Sequence, residues 1–464
     1  MIVGRQSEKV AANNRLEYPI LLGLALGLAI FYFAPLAPVA VAGLLIYAFF
    51  AYVRLDLALL WVIVAAPFYL LPKQFGSLQF SMVEVLVLTC LAVFALRWIV
   101  GRGGTMNCAP DVGARFIAPR NRFPTIPILL FLLASILSLL AAERLHEGLR
   151  ELRTVVVEPV IFYFLLSNVL DRRKVSLLAD VLVLSGVAVA IAGLYRYFIV
   201  GDVITAEGVF RMRAYYGSPN NLGLYLGRVI PLAFCLGWFG WRGSRSLRAF
   251  YIGATLLLLG ALAITFSGGA WIAVALSLLL VLAFRNRALF GVAALGVAGL
   301  AIALPQFVKL ERITSRFDLA QGTSSLRLLI WQAAAKMIQD HPLLGVGLDN
   351  FLNQYPRYML PEAWREPALS HPHNLVLDFW LRTGLLGLAA GAWLLVGFFT
   401  AGVRVYRSSS DGRTRAIALG LIASMLDFVV HGMIDNSYFA VDLAIIFWAS
   451  LATVRILDRT KEFE

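Results

Sequence analysis

Long apolar runs alternate with short polar stretches along most of the chain. A membrane-spanning helix needs about 20 apolar residues, and most of these runs approach or exceed that length. They fall at about 18–34, 35–53, 56–72, 82–100, 124–142, 154–170, 175–200, 219–241, 248–266, 268–284, 288–307, 374–403, 413–432 and 436–454. The pattern predicts an all-α polytopic membrane protein with about 12–14 transmembrane helices.

The longest interruption of this pattern is the segment 308–373, which exceeds any ordinary connection between helices. Apolar residues recur inside it at helical spacing, namely Leu326, Leu329, Ile330, Ala333 and Met337. Thr323 and Ser324 can cap this helix, and His341-Pro342 ends it after about Asp340. The chain is therefore divided into an N-terminal transmembrane bundle (1–307), a large helical loop (308–373) and C-terminal transmembrane helices (374–464).

The composition excludes a multidomain soluble enzyme. Of the 464 residues, 60% are hydrophobic and 14% are charged, whereas an average soluble domain has roughly 25% charged residues. The net charge of +13 is better explained by the positive-inside rule than by a nucleic-acid partner. With the N-terminus in the cytoplasm and alternating spans, 24 of the 40 Lys and Arg residues are cytoplasmic, and so are both termini.

The other basic residues gather on the outer face, mainly at 144–153, at 211–213 and in the loop 308–373. A Gly-rich basic stretch at 101–123 is predicted to be a flexible cytoplasmic linker. The three cysteines are scattered and lack CxxC or Cys/His spacing, which argues against a disulfide framework and against zinc.

The densest polar motif is Ser370-His371-Pro372-His373-Asn374, where the large loop meets an apolar run. Asn374 is a good N-cap. His373 would then lie at a helix N-terminus, which favours neutral imidazole and suits a general base. Three interpretations stay open: a satisfied interfacial histidine, a catalytic or acceptor-positioning group, and one arm of an HxH metal site. The metal site ranks last because no carboxylate stands at useful spacing.

Three arginines near this face are suited to binding a diphosphate group. Arg211 and Arg213 precede the outer entry to a span at about 219, and Arg327 lies in the first turns of the amphipathic helix. Guanidinium groups match phosphate oxygens and stay charged. Anchoring to lipid headgroups is the alternative for either loop arginine alone.

Acidic residues in or beside the spans are predicted to be structural. Glu158 follows Arg150 and Arg153 by one to two turns, which predicts an ion pair. His431 and Asp435 stand four residues apart at a helix end, which predicts a local hydrogen bond.

A spaced motif adds a family resemblance. His373-Asn374, nine residues and then Gly384-Leu385-Leu386-Gly387 fit the pattern H[NSQ]-x9-GxxG. The chain thereby resembles the O-antigen ligase family, which shares a superfamily with O-antigen and exopolysaccharide polymerases. Further likenesses are Arg213 ahead of Ser218-Pro219-Asn220-Asn221, Ser325-Leu326-Arg327 followed by Trp331, and His341-Pro342-Leu343-Leu344-Gly345-Val346-Gly347 leading to Asn350-Phe351. In one departure, Gly268 follows Ser267 at a short outer hairpin where the family often has Arg.

The resemblance implies a GT-C-like, inverting and metal-independent glycosyltransferase of the bacterial inner membrane, with no cofactor. Its donor would be a glycan on undecaprenyl diphosphate, and its acceptor a hydroxyl of lipid A–core on the periplasmic side. His373 would position or deprotonate that hydroxyl, supported by His371, Asn374 and Asn220. Arg327 and either Arg211 or Arg213 would hold the diphosphate.

Two other functions remain. A polymerase would use the same donor with another lipid-linked glycan as acceptor. A multi-span transporter would show repeated halves and paired charges near the bilayer midplane, and no repeat is detectable. Membrane lipids are expected partners in every case, and nucleic acid in none.

Overall fold

Long apolar helices make up most of the computed structural model, which describes residues 2–76, 78–103, 125–206, 208–240, 244–307, 322–363 and 369–459. The α-helices, in chain order, are α1 (Ile2–Phe33), α2 (Ala37–Val53), α3 (Leu55–Ala65), α4 (Met82–Gly103), α5 (Thr125–Ser138), α6 (Leu145–Glu151), α7 (Glu158–Val169), α8 (Arg172–Tyr195), α9 (Pro219–Trp238), α10 (Arg245–Ile264), α11 (Gly268–Arg285), α12 (Arg287–Phe307), α13 (Gly322–Asp340), α14 (Phe351–Tyr358), α15 (Leu375–Ser408), α16 (Gly412–Gly432) and α17 (Val441–Arg459). Short 3-10 turns lie at Ala66–Phe68, Leu139–Ala141 and Pro361–Ala363, and π-helical segments at Leu152–Val157 and Arg196–Val200.

The predicted fold class is confirmed. Within the described residues, eight helices are long and apolar enough to cross a membrane, and shorter apolar helices accompany them at Glu17–Phe33, Ala37–Val53, Leu55–Phe68, Thr125–Ala141 and Arg287–Gly299. Leucine, valine and phenylalanine side chains stand exposed on the outer helices, as lipid-facing surfaces require. The predicted linker at 101–123 lies almost entirely outside the described residues.

The centre of the bundle is formed by α9, α16 and α17, whose residues are buried on nearly all sides. Small residues allow close packing there: a Cβ on Gly227 would stand 2.5 Å from an Asp427 carboxylate oxygen, and one on Gly420 2.8 Å from the Leu232 backbone. Arg228 pairs with Asp427 at 2.5 Å, with both side chains almost fully buried. A buried pair of this kind fixes how the two helices face each other.

Two antiparallel hairpins interrupt the helices, which the hydrophobic pattern did not predict. β1 (Lys73–Phe75) pairs with β2 (Leu78–Phe80), with Lys73 opposite Phe80. β3 (Val203–Ala206) pairs with β4 (Val209–Met212), with Val203 opposite Met212. Three-residue and four-residue strands fall between apolar runs and are too short to show a period of two. The second hairpin matters for the site because β4 carries Arg211.

The amphipathic helix predicted in the large loop is confirmed as α13. Its buried face, with Ile330, Ala333 and Met337, packs against Phe351 and Tyr355 of the α14 helix. The helix ends at Asp340, directly before His341-Pro342, because proline disfavours a helical residue in front of it.

Helix α15 is broken at Gly384, and the break receives the turn that follows α13. Gly384 has φ 69° and ψ −177°, and a Cβ there would stand 2.0 Å from the Leu343 carbonyl oxygen. The Leu385 amide donates to that same carbonyl at 3.2 Å, and the Val346 amide donates to the Leu381 carbonyl at 2.7 Å. Gly345, with φ +68°, lies so near Leu381 that a Cβ would stand 2.2 Å from its carbonyl oxygen. Two motifs far apart in sequence, around Gly345 and Gly384, therefore form one joint.

Candidate active site

His373 stands at the junction of the large loop and α15. Asn374 caps the helix as predicted, because its side-chain oxygen accepts from the amides of Val376 and Leu377 at 3.0 and 3.2 Å. His373 has φ +52°, a left-handed conformation uncommon for a residue with a Cβ. Strain of this sort persists only where the surroundings impose it, and it concentrates at functional sites.

The carboxylate partner of His373 is Asp435, in the loop after α16. The His373 Nδ1 and an Asp435 oxygen are 3.1 Å apart, with side-chain exposures of 22% and 5%. Burial alone would raise the pKa of Asp435, but the hydrogen bond and charge of His373, with the nearby His371 and His431, hold that pKa well below its ordinary value. An ionised carboxylate only accepts hydrogen bonds, so Nδ1 carries a proton, and in the uncharged form of the ring the lone pair lies on Nε2.

This partner overturns the prediction of a local His431–Asp435 hydrogen bond. Helix α16 ends at Gly432, so Asp435 lies in the following loop instead of one turn below His431. Across the described segments, the Nδ1 of His431 has no hydrogen-bond partner. The Asn374 side chain donates to the Met433 carbonyl at 3.1 Å, which ties the Asp435 loop to the histidine loop.

His371 packs beside His373, with ring centroids 4.1 Å apart. The His373 amide donates to the His371 Nδ1 at 3.3 Å. Burial, with the charge of His373 next to it, lowers the pKa of His371 to about 3. At neutral pH this imidazole is therefore uncharged and serves as a packing and hydrogen-bonding partner.

His371, His373 and Asp435 also form a possible metal-ligand set, because one atom from each lies within 4.8 Å of the others. Two imidazoles and one carboxylate suit a divalent transition metal. The sequence spacing on which the metal site was ranked last does not show this carboxylate, because Asp435 is distant in sequence and close in space.

A buried ion-pair network centred on Arg382 contacts the histidine loop, Ser370 to Asn374. Arg382 on α15 donates to both carboxylate oxygens of Glu151 at 2.5 and 2.6 Å and to Asp378 at 2.7 Å. It also donates to the Ser370 carbonyl at 3.0 Å. Asp378 and Arg382, four residues apart within an apolar run, are a signal that the sequence analysis passed over.

Helix α13 brings Arg327 towards the same loop. Trp331, one turn later, donates its indole N–H to the Pro372 carbonyl at 3.0 Å, and residues four apart share a helix face. The charge of Arg327 is near enough to contribute to the lowered pKa of His371. Within the described part of the chain, Arg327 makes no hydrogen bond or ion pair.

The other two arginines have different surroundings. Arg211 donates to the Thr265 carbonyl at 2.9 Å and to the Asn220 side chain at 2.9 Å. Arg213 pairs with Asp202 at 2.7 Å, and Arg196 pairs with the same carboxylate. Hydrogen bonds from Arg213 and Arg196 hold the pKa of Asp202 below its ordinary value. Arg213 therefore shares the Asp202 carboxylate with Arg196, whereas Arg211 donates to two neutral oxygens.

The connection between α10 and α11, whose Thr265 carbonyl accepts from Arg211, lies beside the loop that carries Asp435. Helix α11 begins at Gly268, and a Cβ on Gly269 would stand 2.6 Å from the Ile434 side chain and 3.3 Å from the His431 ring. Arg211, the first turn of α11 and the Asp435 loop are thus joined by direct contacts at one end of the bundle.

Glu158 does not form the predicted ion pair. It is buried, and in the part of the chain that the structure describes neither carboxylate oxygen has a hydrogen-bond partner. Arg150 pairs instead with Asp349 at 2.9 Å, and Arg153 pairs with Glu84. The π-helical segment Leu152–Val157 changes the helical phase between these arginines and Glu158, so spacing based on a regular α-helix misplaced them.

Fold and site together define a polytopic membrane protein with a histidine–aspartate pair beside arginine side chains. Residues 253–392 match the family model described as O-Antigen ligase. The match confirms the resemblance, and it supports assignment to the O-antigen ligase family and a glycosyltransferase-type activity. The matched range contains Arg327, His371 and His373 and ends before Asp435.

Other comparisons add little. A comparison with curated proteins finds no match. A solved structure titled "Structural coordination of polymerization and crosslinking by a peptidoglycan synthase complex" is 15% identical, covers 73% of this chain and 98% of its own, and has a TM-score of 0.45. A TM-score this low does not establish a common fold.

Proposed function

We propose that this protein transfers a glycan from undecaprenyl diphosphate to a hydroxyl of lipid A–core at the periplasmic face of the bacterial inner membrane, as an O-antigen ligase. The observation that carries the proposal is the His373–Asp435 pair at 3.1 Å, with Arg327 one turn before Trp331, whose indole N–H donates to the Pro372 carbonyl of the same loop. A base and an arginine at one membrane-face site suit displacement of a diphosphate from a sugar.

In the proposed reaction, the acceptor oxygen attacks the anomeric carbon while the bond from that carbon to the diphosphate oxygen breaks, which inverts the anomeric configuration. His373 Nε2 takes the proton of the acceptor hydroxyl. Asp435 keeps the proton on Nδ1 and stabilises the imidazolium that forms. His371 and Asn374 hold the His373 ring in place.

Negative charge that develops on the departing diphosphate needs fixed cations. Arg327 supplies one. Arg211 is the better candidate of the loop pair, because the Asp202 carboxylate already pairs with Arg213. Asn220 holds the Arg211 guanidinium. Undecaprenyl diphosphate is an activated donor, so the reaction needs neither a nucleotide nor a metal ion, and EDTA should leave its rate unchanged.

The decisive test is transfer by purified protein with a defined lipid-linked donor, offered lipid A–core and a second lipid-linked repeat unit as separate acceptors. Product on lipid A–core alone supports a ligase, and product on the lipid-linked unit alone supports a polymerase. In a deletion strain, loss of all O-antigen with accumulation of lipid-linked polymer supports the ligase. A single repeat unit left on core supports the polymerase.

The proposed orientation can be tested separately by cysteine labelling. Leu343 is 71% exposed in the turn after α13, and Ser408 lies at the last residue of α15. In a variant lacking Cys108, Leu343→Cys should react with an impermeant reagent added to intact cells after outer-membrane permeabilisation, and Ser408→Cys should not. The opposite pattern would refute the periplasmic site. Cys90 and Cys235 are buried and should give little background.

A further inference from the structure

A cavity of about 580 Å³ opens beside the loop that carries His371 and His373. His371 and Asn436 are among its lining residues, two residues from His373 and one residue from Asp435 in the sequence. None of Arg211, Arg213 and Arg327 is among its lining residues. Its volume falls in the range of small-molecule sites, and the proposed reaction assigns no role to it.

The charges of the cavity are unsuited to a diphosphate. The arginines that line it, Arg150 and Arg153, are each paired with a carboxylate of the same wall, Asp349 at 2.9 Å and Glu84 respectively. No unpaired cation of the described residues therefore faces the cavity. An anionic ligand would gain little there and would meet the remaining acidic groups.

One of those acidic groups is unsatisfied. Asp442, at the start of α17, is 1% exposed and lines the cavity. One of its oxygens accepts from the Tyr216 hydroxyl at 2.8 Å, and the other, Oδ1, has no hydrogen-bond partner among the described residues. A buried carboxylate oxygen without a partner is costly, and such an atom calls for an explanation. A hydroxyl donor supplied by a ligand would satisfy it.

The remaining walls suit a sugar. Tyr69 and Phe439 present aromatic surface, and Asn221 and Asn436 present side-chain amides. Ligand sites combine apolar and aromatic lining with a few placed polar groups in this way. Amides both donate and accept hydrogen bonds, which matches the mixed capacity of sugar hydroxyls.

We propose that this cavity is the acceptor-saccharide subsite, in which Asp442 accepts a hydrogen bond from a hydroxyl of a neutral sugar unit of the acceptor glycan. The inference rests on the proposed function. It places the acceptor on the His371 side of His373 and leaves the arginine side to the donor, so that the two substrates reach the base from different directions.

The test uses the full-length protein in lipid nanodiscs and varies the two substrates separately. Asp442→Asn keeps an oxygen for Tyr216 but replaces the free carboxylate oxygen with an amide. We expect at least a 10-fold rise in KM for the acceptor, with KM for the donor changed less than twofold. Asp340→Asn, an acidic residue of the large loop outside the cavity, is the matched control and should change neither constant.

A second variant guards against misfolding of the first. Gln79 lines the cavity and is exposed, so Gln79→Trp should fill space without disturbing the buried groups and should also raise KM for the acceptor selectively. If either variant, shown to be folded by thermal unfolding, raises KM for the donor alone or leaves both constants unchanged, the subsite assignment is wrong.

Direct binding separates failure of the subsite from failure of the proposed function. Delipidated core oligosaccharide should bind to the wild-type protein in calorimetry without donor, and at least 10-fold more weakly to Asp442→Asn. Binding that is sensitive to Asp442, without any transfer by the wild type, would keep the saccharide subsite and refute the transferase. Glycan transfer by the wild type, with oligosaccharide binding unchanged in Asp442→Asn, would keep the transferase and refute the saccharide subsite.

Discussion

Replacement of Asp435 by Asn removes one charge from the proposed site while keeping its geometry. The Asp435 oxygen that faces His373 also accepts from the Asn436 backbone amide at 2.8 Å. That amide needs an acceptor, so the new side chain should place its carbonyl oxygen there and turn its NH2 group away. Nδ1 of His373 would then still donate, and the tautomer would be kept.

The lost interaction is that between the carboxylate and the imidazolium formed during transfer. Two unit charges about 4 Å apart interact by about 4 kcal/mol at an effective dielectric constant of about 20, which converts to about 10³-fold in rate. Some of that charge is already compensated by the hydrogen bond in the ground state, so kcat should fall by about 10²- to 10³-fold. Both KM values should stay within about threefold, because Asp435 touches neither substrate.

The assay is steady-state transfer by purified protein with both lipid-linked donor and acceptor varied. Asp340→Asn is the control, since Asp340 is exposed and accepts a hydrogen bond from the Tyr358 hydroxyl at 2.8 Å. A folded Asp435→Asn protein that keeps more than a third of the wild-type kcat would refute the pairing of His373 with Asp435 as the catalytic unit.

Three further predictions follow from the same contacts. Arg327→Lys keeps the charge but loses the planar fork, so kcat/KM for the donor should fall at least 10-fold; full activity would exclude bidentate phosphate binding. Gly384→Ala should lower the unfolding temperature by several degrees and abolish transfer, because a Cβ there would stand 2.0 Å from the Leu343 carbonyl, whereas Gly253→Ala, where a Cβ meets nothing within 4 Å, should do neither. His371 has a folded-state pKa of about 3 against an ordinary 6.5, so below pH 6.5 the unfolded chain binds a proton that the folded chain does not, and stability falls as the pH drops towards 3. The unfolding temperature of His371→Gln should therefore fall less between pH 7.5 and 4.5 than that of the wild type. An identical fall would contradict the lowered pKa of His371.

Features that depend on neighbouring residues could be predicted from the sequence. The apolar runs, the amphipathic helix ending at Asp340 and the cap at Asn374 each rest on patterns within about 20 residues, and the structure contains all three. The basic clusters and the His373 motif likewise stood out locally and directed attention to the correct loop.

Features that depend on contacts between segments distant in the sequence could not be predicted from the sequence. Asp435 is 62 residues from His373, and Glu151 is 231 residues from Arg382, so neither partner follows from spacing. Where spacing was used across an irregular element, it failed: the π-helical segment before Glu158 and the end of α16 before Asp435 both changed the direction in which a side chain points. The requirement for glycine at position 384 likewise depends on its contact with the Leu343 carbonyl, which the sequence does not show.

The central claim is that the imidazole of His373 accepts the proton of the attacking hydroxyl. The most direct test is the rate of glycan transfer from a defined undecaprenyl-diphosphate-linked donor by purified His373→Gln protein, measured beside the wild type and with folding confirmed by thermal unfolding. Since a positioned general base contributes about 10²- to 10⁴-fold, we predict a loss of at least 10²-fold with donor binding retained. Transfer within threefold of the wild-type rate would contradict the account.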